Sequence, residues 1–105
     1  MMHLTILLER GLFRVYILWV CSRKAMSGDD FTQMEKEHKH SLSAGRLYPV
    51  LAELTDAGLV SIKEINEHGR MHKYYSTTKK GLSAVAEVKR DLGGPMKDFL
   101  LEWLG

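Results

Sequence analysis

Residues 41–60 read SLSAGRLYPVLAELTDAGLV, and this segment decides the fold. Its apolar residues fall at helical spacing and predict one buried helix face, formed by Leu47, Val50, Leu51, Leu54 and Ala57. Gly58 predicts the end of the helix, because glycine is common just past the last turn. The opposite face carries Arg46, Tyr48 and Glu53, which we expect to reach out to a partner. With a β-hairpin after it, such a helix is typical of the recognition helix of a winged helix-turn-helix.

The start of this helix has two solutions. Ser43 is a natural N-cap, but a start there places Pro49 beyond the first turn, where its missing N–H and its ring disturb the helix. A start nearer Gly45 returns Pro49 to the tolerated first turn. Alternatively, a kink eased by Gly45 accommodates the proline ring. The sequence leaves both solutions open.

A basic hairpin is predicted after the helix. Residues 59–65 alternate as a strand, residues 66–69 have turn chemistry, and residues 71–77 are rich in β-formers. From His68 to Lys80 the chain has no acid, and its cations are Arg70, Lys73, Lys79 and Lys80. A local basic stripe in a chain of net charge +2 fits an edge that faces DNA.

Two helices are predicted before the recognition helix. The first, from Leu4 to about Lys24, is apolar on nearly all sides and must be covered on nearly all sides, either by a second subunit or by its own chain. The second spans Met26 to His38, with Ser27 as N-cap and Asp30 in the position of a capping-box acid. Its narrow apolar contact consists of Phe31 and Met34.

The C-terminal part of the chain predicts two further helices. Thr78 caps the first of them, and the Gly93-Gly94-Pro95 sequence marks a break or a sharp bend. A last short helix carries an apolar stripe of Met96, Phe99, Leu100, Trp103 and Leu104. This stripe favours contact with another chain over folding back on the first helix. The predicted dimer interface consists of Leu8, Leu12, Val15, Trp19, Phe99, Leu100 and Trp103.

Bulk properties indicate one globular domain in a reducing compartment. The chain has 105 residues, 45% hydrophobic and 27% charged, which are ordinary globular values. Cys21 is the single cysteine, so an intrachain disulfide is excluded, and we interpret it as a small buried hydrophobe. No signal peptide is evident, and the apolar run at residues 12–21 is far below the ~20 residues that span a bilayer. We therefore expect a soluble cytoplasmic protein without membrane contact.

The sequence does not indicate an enzyme, a metal site or a cofactor. His38, His40, His68 and His72 do not have the spacing of a zinc motif, and we interpret them as surface residues near a basic face. Serine, histidine and acidic residues are not arranged in a recognisable nucleophile motif, and Cys21 lies in an apolar run.

Three segments in order resemble the PadR-like family of winged-helix transcriptional regulators. They are Met26-Ser27-Gly28, the SAGRLYPVLAELTDAGLV stretch from Ser43, and GRMHKYYSTTKKG from Gly69 to Gly81. The second is similar to the family's serine–x–glycine–threonine–leucine–tyrosine–proline pattern, with Arg46 in place of the threonine. The third is similar to its glycine–arginine–x–x–lysine–tyrosine–tyrosine wing and the helix start that follows. The region after residue 90 is shorter and more broken than in small family members.

The resemblance and the residue pattern together imply an α+β, mainly α fold. We expect a winged helix-turn-helix with a three-helix core and a two-stranded wing over residues 1–90, followed by a C-terminal dimerisation segment at residues 91–105. The implied function is that of a sequence-specific transcriptional regulator, as a dimeric repressor. The alternative is a winged-helix module that binds another protein and has little or no affinity for DNA.

In this hypothesis the helix at residues 43–57 enters the major groove, and the wing at residues 59–77 contacts the backbone. Paired subunits would place two such helices ~34 Å apart on a palindromic operator. The resemblance also implies a possible small aromatic effector at the dimer interface, near Trp19 and Trp103, although plain interface packing is the favoured interpretation. The predicted DNA contacts are Ser43, Gly45, Arg46, Tyr48, Pro49, Arg70, Lys73 and Lys79.

Overall fold

The computed structural model describes residues 2–38 and 44–105. Their principal extents are 53 × 29 × 28 Å, so the molecule is elongated. Within the described residues the elements in chain order are α1 (Leu4–Arg23), β1 (Met26–Ser27), α2 (Gly28–His38), α3 (Ala44–Asp56), β2 (Val60–Glu67), β3 (Arg70–Thr77), α4 (Lys79–Gly93) and α5 (Lys97–Leu104).

Helix α1 has two parts with opposite surroundings. Residues 4–12, which we call the α1 arm, are exposed at every position, whereas the rest of the helix enters the core. Ile17 is fully buried, and the other buried residues of α1 are Phe13, Leu18, Val20 and Cys21. Only the second part of this apolar helix is therefore covered by its own chain.

Helix α2 begins two residues later than expected. Met26 and Ser27 form the short strand β1, and the helix starts at Gly28. The predicted capping box is present: the backbone N–H of Asp30 donates to Ser27 Oγ at 3.1 Å, and the N–H of Ser27 donates to Asp30 Oδ2 at 2.9 Å. Phe31 is buried, as predicted.

The predicted two-stranded wing is part of a three-stranded antiparallel sheet of order β1-β3-β2. Strand β1 pairs with β3 through Met26 opposite Tyr75 and Ser27 opposite Tyr74. The two-stranded wing of β2 and β3 is confirmed, and β1 is an additional strand that was not predicted because the extended residues before the α2 cap were assigned to the helix. The extra strand joins the wing to the start of α2.

The hairpin between β2 and β3 closes with a two-residue turn. Glu67 pairs with Arg70, and the intervening His68 and Gly69 have φ values of 54° and 79°. Positive φ at both central residues is characteristic of the type I′ turn, whose twist matches that of the flanking strands. Asn66, which we expected in the turn, lies in β2.

Helix α3 has the predicted buried face, with one exception. Leu47, Val50, Leu51 and Leu54 are buried, whereas Ala57 lies beyond the helix and is exposed. Gly58, at φ 76°, ends the helix in a Schellman motif: its N–H donates to Thr55 O and the N–H of Leu59 donates to Leu54 O. Ala57 was assigned to the buried helix face because it is apolar and at helical spacing. The helix ends at Asp56, one residue before it, so Ala57 belongs to the helix-ending turn.

Pro49 lies inside α3, and the helix begins at Ala44. Pro49 is therefore beyond the first turn, where the Gly45 carbonyl cannot receive its usual helical hydrogen bond. Of the two solutions, the later helix start that would bring Pro49 into the first turn is therefore wrong. The proposed N-cap, Ser43, lies outside the described residues.

Helix α4 is attached to the rest of the domain at its N-terminus. Thr78 Oγ1 accepts a hydrogen bond from the Gly81 N–H at 3.1 Å, which confirms the predicted cap. Gly81 is buried, and a Cβ there would lie 2.3 Å from the Leu59 carbonyl oxygen and 2.6 Å from Thr77 Cγ2. The glycine thus permits close contact between α4 and the start of the wing.

The predicted break at Gly93-Gly94-Pro95 separates α4 from α5. The expected boundary between residues 90 and 91 lies within α4, which continues to Gly93. None of the residues of α5 is buried. Phe99 and Trp103 stack with ring centroids 5.7 Å apart, yet they are 52% and 65% exposed.

Candidate nucleic-acid interface

The exposed side of α3 and the wing meet at a shallow cavity of about 310 Å³. Tyr48 of α3 lines one wall and remains 42% exposed. The wing and the start of α2 supply the rest of the lining, which includes Gly28, Asp29, Arg70, Met71, His72, Lys73 and Tyr75. The cavity brings Tyr48, Arg70 and Lys73, three of the predicted DNA contacts, to one edge of the molecule.

Gly28, at the start of α2, lies next to the hydroxyl end of the Tyr48 side chain. A Cβ at this position would lie 2.7 Å from the Tyr48 hydroxyl, which is shorter than any ordinary contact of such an atom. The glycine after Ser27 therefore provides space for the Tyr48 side chain. A larger residue would push the tyrosine toward the open side of the cavity.

The two wing cations lie on different faces of β3. Side chains alternate along a strand, so Lys73 shares the face of the buried Tyr75, whereas Arg70 shares that of Tyr74. Strand β2 places Glu64 opposite Lys73 and Glu67 opposite Arg70. The basic stripe is free of acids along its own sequence, but the neighbouring strand reduces its net charge.

The two neighbouring tyrosines have separate environments. Tyr75 is buried, and desolvation raises the pKa of its hydroxyl. Tyr74 is half-buried and donates a hydrogen bond to Glu67 Oε1 at 2.6 Å, which raises the pKa of Tyr74 because the acceptor stabilises the protonated form. Tyr74 holds the Glu67 carboxylate at the outer face of the wing.

The remaining two cations of the stripe have different surroundings. Lys79 is exposed at the first position of α4. Lys80 is also exposed, but its Nζ donates to the Ala57 carbonyl oxygen at 2.9 Å. A cation at that carbonyl interacts favourably with the C-terminal end of α3. Lys80 thus contributes to the structure of the helix end.

The side chain of Arg46 points toward α1. Its guanidinium forms an ion pair with Glu9 and lies over the ring of Phe13, with 3.9 Å from Cζ to the ring centroid. The Arg46 side chain remains 37% exposed. We expected it on the outward face of α3, and in this structure it occupies the boundary with the α1 arm.

Glu53, also expected to face outward, is bound to α1 as well. Arg14 Nε and Nη2 donate to its two carboxylate oxygens at 2.5 and 3.3 Å, and Arg14 Nη1 donates to the Arg10 carbonyl oxygen at 3.0 Å. The hydrogen bonds from Arg14 lower the pKa of the Glu53 carboxyl group. Of the three polar residues predicted to reach a partner, only Tyr48 is thus directed away from α1.

Two further predicted contacts are accessible on α3. Gly45 and Pro49 are both exposed, and a Cβ at Gly45 would meet no atom of the described residues within 4 Å. Ser43 lies outside the described residues. The DNA contacts predicted for all of these residues stay predictions.

Sequence reasoning missed Glu9, Arg14 and Lys80 as partners of α3. Glu9 and Arg46 are 37 positions apart, and Arg14 and Glu53 are 39 apart. Helical periodicity identifies neighbours three or four positions apart, so it holds no signal for such pairs. The Lys80 contact had a weak signal, since a lysine near a helix C-terminus is favourable.

The predicted dimer residues are largely accessible. Leu8, Leu12 and Trp19 are 59%, 51% and 47% exposed, and Val15 and Leu100 are half-buried. Trp19 also borders an open cleft of about 600 Å³ between α1 and α2, with Met26 and Met34 among its lining residues. The dimer interface and the aromatic effector stay predictions.

Several other expectations concern chemistry away from this surface. Cys21 is 2% exposed, and burial raises the pKa of its thiol to about 12, so it is a small buried hydrophobe as predicted. Among residues 2–38 and 44–105, the side chains described do not form a cluster suited to a metal ion. Within the same ranges, no helix has the length and apolar character needed to cross a membrane.

Comparison with known proteins connects this geometry to a family. Residues 17–87 match the model of the transcriptional regulator PadR-like family. The chain is 31% identical over 84 residues to the transcriptional regulator Rv3488 of Mycobacterium tuberculosis, covering 80% of this chain and 78% of that protein. These regulators are not enzymes.

Solved structures agree with the family match. A PadR family transcriptional regulator from Eggerthella lenta has a TM-score of 0.77 at 26% identity, covering 95% of this chain and 88% of that one. Bacillus subtilis PadR in complex with operator DNA has a TM-score of 0.63 at 26% identity, covering 72% of this chain and 46% of that one. The winged-helix fold is thereby confirmed, and the chain belongs to the transcriptional regulator PadR-like family.

Proposed function

We propose that this regulator is a dimeric repressor that binds a palindromic DNA operator. Helix α3 enters the major groove through Gly45, Tyr48 and Pro49, together with Ser43, while the wing and Lys79 contact the phosphate backbone. The observation that supports this proposal best is the common edge formed by Tyr48, Arg70 and Lys73 around one cavity. Arg46 is omitted from this contact set because Glu9 and Phe13 already hold its guanidinium.

The family gives this proposal its second support. Bacillus subtilis PadR, which shares the fold, is known in complex with operator DNA. The alternative, a winged-helix module that binds only protein, is not favoured by membership of a family of transcriptional regulators.

The DNA contacts are tested by salt dependence. A duplex selected with the wild-type protein from a random library serves as the probe, and its affinity is measured by fluorescence anisotropy over a range of salt concentrations. Each lost phosphate contact reduces the slope of log K against log salt by about 0.9. We expect that reduction for Lys73→Ala and for Arg70→Ala.

Lys97→Ala is the matched control for these variants, since Lys97 is an exposed lysine on α5, away from the cavity. We expect it to leave the slope unchanged. Equal slopes for wild type, Lys73→Ala and Arg70→Ala would contradict the assignment of the wing to the backbone. Absence of binding to any duplex at low salt would contradict the DNA function itself.

The dimer is the second component of the proposal. The α1 arm and α5 expose apolar side chains that the rest of the described chain does not cover, including Leu4, Leu8, Leu12, Phe99, Trp103 and Leu104. Clusters of exposed apolar side chains of this kind mark interaction sites. A two-fold pair would cover both regions and present two α3 helices to DNA.

Analytical ultracentrifugation tests the dimer with two variants of α5. We expect Trp103→Glu, in the apolar stripe, to reduce the mass toward that of a monomer, because a buried unpaired carboxylate is costly. Leu101→Glu is the matched control, since Leu101 is 64% exposed and lies on the other side of the helix. Dissociation by Leu101→Glu alone would show that the interface lies on the Leu101 side of α5, which contradicts the proposed interface at Trp103. An unchanged mass for both variants would contradict a dimer through α5.

A further inference from the structure

Arg46 and Glu9 join the recognition helix to the exposed end of α1. Glu9 and Phe13 are one helical turn apart on α1, so both face the same side. The edge of the Arg46 guanidinium pairs with the Glu9 carboxylate, and the flat face of the same guanidinium lies over the Phe13 ring. A planar guanidinium can make both contacts at once, which an ammonium group cannot do as well.

A second ion pair links the same two helices further along the chain. Arg14 donates to both carboxylate oxygens of Glu53, with α1 now supplying the cation and α3 the acid. The two ion pairs lie at different positions along both helices, so a shift of α3 along α1 would separate both at once. Together they specify one register between the helices.

The first turn of α3 has a particular need for outside support. Pro49 provides no N–H for the Gly45 carbonyl, so the turn is joined to the rest of the helix by one hydrogen bond fewer. Arg46 lies within this turn, and its side chain anchors the turn to the α1 arm. The same turn also carries Gly45, and Tyr48 follows directly after it; the proposed function places both residues on DNA.

We propose that Arg46 is a positioning residue that sets the orientation of the recognition helix relative to α1 through Glu9 and Phe13, without contacting DNA itself. The inference depends on the proposed function, since the arm that Arg46 holds is part of the proposed dimer interface. In this arrangement the α1 arm contacts the partner subunit and also holds the start of α3 in position. The spacing of the two recognition helices is then coupled to the Arg46–Glu9 pair.

A double-mutant cycle tests this role with wild type, Glu9→Gln, Arg46→Gln and the double variant. The probe is the duplex selected with the wild-type protein, and affinity is measured against salt concentration. We expect each single variant to weaken binding by about 2-fold to 5-fold, as is usual for the loss of an exposed ion pair, and the double variant to be no weaker than the weaker single, because both changes break one pair. The salt slope should be the same for all of these proteins.

A direct DNA contact by Arg46 predicts different results. A lost phosphate contact would reduce the salt slope by about 0.9 for Arg46→Gln, and Glu9→Gln would strengthen binding by releasing the arginine. A base contact would relax the selected sequence at one position for Arg46→Gln and leave it unchanged for Glu9→Gln. Any of these results would overturn the positioning role.

Two controls separate charge from geometry. Glu87→Gln removes one exposed carboxylate from α4, and it should not reproduce the loss seen with Glu9→Gln. Arg46→Lys keeps the positive charge but loses the planar guanidinium with its forked N–H donors. We therefore expect a loss of DNA affinity between those of wild type and Arg46→Gln, with an unchanged salt slope. Wild-type affinity for Arg46→Lys would overturn the role assigned to the guanidinium.

Hydrogen exchange without DNA distinguishes failure of this inference from failure of the proposed function. Glu9→Gln and Arg46→Gln should both accelerate exchange in peptides covering residues 44–51, by a similar factor, at equal overall helix content. If no duplex binds to the wild-type protein, the DNA function fails, while faster exchange still supports the anchor between the helices. Unchanged exchange in both variants would overturn the anchor, whatever the protein does with DNA.

Discussion

The winged-helix core has apolar side chains similar to those of the α1 arm and α5, the two apolar segments near the ends of the chain, but their surroundings are opposite. In the core, Ile17, Phe31 and Leu51 are almost completely buried. In the α1 arm and in α5, Leu8, Phe99 and Trp103 are all more than half exposed. Residue type alone therefore does not explain the difference, since phenylalanine and leucine occur in both regions. The difference lies in whether the same chain supplies a second surface to cover them.

The winged-helix core is closed within a single chain, whereas the α1 arm and α5 are not covered by it. Helices α1, α2 and α3 and the sheet close around one another, and hydrogen bonds such as Thr77 Oγ1 to the Leu18 carbonyl, at 2.6 Å, hold the sheet to α1. Helix α5 contacts α4 and has no buried residue. Burial of apolar area is the main favourable term in folding, so α5 contributes little to the stability of a single chain.

The largest expected effect is the loss of a buried aromatic ring. Phe31→Ala should reduce the free energy of unfolding by about 3–5 kcal/mol, since it removes a side chain that is 2% exposed and leaves a cavity. Phe99→Ala makes the same chemical change on α5, where the ring is 52% exposed. We expect it to act mainly on association, because a single chain buries little of that ring.

Thermal unfolding at several protein concentrations separates the two aromatic variants. The midpoint of a dimer rises with concentration, since association stabilises the folded state by mass action. Phe31→Ala should lower the midpoint and keep that dependence, whereas Phe99→Ala should weaken the dependence itself. Equal effects of the two variants at every concentration would contradict the division between core and interface.

A smaller loss is expected where α4 meets the wing. Gly81→Ala would place a Cβ 2.3 Å from the Leu59 carbonyl oxygen, and a backbone atom cannot move aside as a flexible side chain can. Overpacking of this kind costs about 1–3 kcal/mol, and we expect Gly81→Ala to lower the free energy of unfolding by that amount. Chemical denaturation monitored by circular dichroism measures it.

Gly93→Ala is the control for that variant in the same helix. A Cβ at Gly93 would meet no atom within 4 Å, and alanine favours the helix over glycine by up to about 1 kcal/mol. Gly93→Ala should thus leave stability unchanged or raise it slightly. If Gly81→Ala were as stable as Gly93→Ala, the close contact between α4 and Leu59 would not exist in solution.

The parts of the fold that sequence predicted are those specified by local patterns. The apolar face at Leu47, Val50, Leu51 and Leu54 required only helical periodicity, and the caps at Ser27 and Thr78 required only one polar residue at the right offset. Gly58 could be identified as a stop because its backbone conformation favours glycine. Such signals lie within one or two turns of the residue they describe.

The features that sequence did not predict depend on distant partners. Strand β1 has two residues, and only its pairing with Tyr74 and Tyr75 of β3 makes it a strand. The ion pairs of Arg46 and Glu53 were not predicted because their partners, Glu9 and Arg14, lie on another helix. A polar residue opposite an apolar face can meet a neighbouring helix or solvent, and periodicity does not distinguish them.

Loss of the α4 cap should have a smaller effect than Gly81→Ala. Thr78→Ala removes the acceptor for the Gly81 N–H and the donor to the Gly58 carbonyl oxygen, and capping threonines contribute about 1 kcal/mol. Thr78→Ser keeps a hydroxyl at the same place and should retain most of that stability. Equal denaturation midpoints for Thr78→Ala and the wild-type protein would show that the cap does not stabilise α4.

The smallest expected effect concerns the ion pair between Arg14 and Glu53. Hydrogen bonding by Arg14 lowers the pKa of Glu53 in the folded protein, so the carboxylate stabilises the fold at pH values above its ordinary pKa. That contribution disappears as the pH falls through the lowered pKa, where Glu53 becomes protonated. Glu53→Gln should therefore be slightly less stable than wild type at neutral pH and equal to it in strong acid.

The matched variant for this pH effect is Glu87→Gln, which changes an exposed carboxylate on α4. Denaturation midpoints measured from neutral to acidic pH should converge for Glu53→Gln and the wild-type protein, while Glu87→Gln should show no such convergence. Glu53 is an exposed residue, so solvent screening keeps the difference small. A constant difference between Glu53→Gln and wild type at all pH values would mean that Glu53 acts through packing, and that its ion pair with Arg14 does not stabilise the contact between α1 and α3.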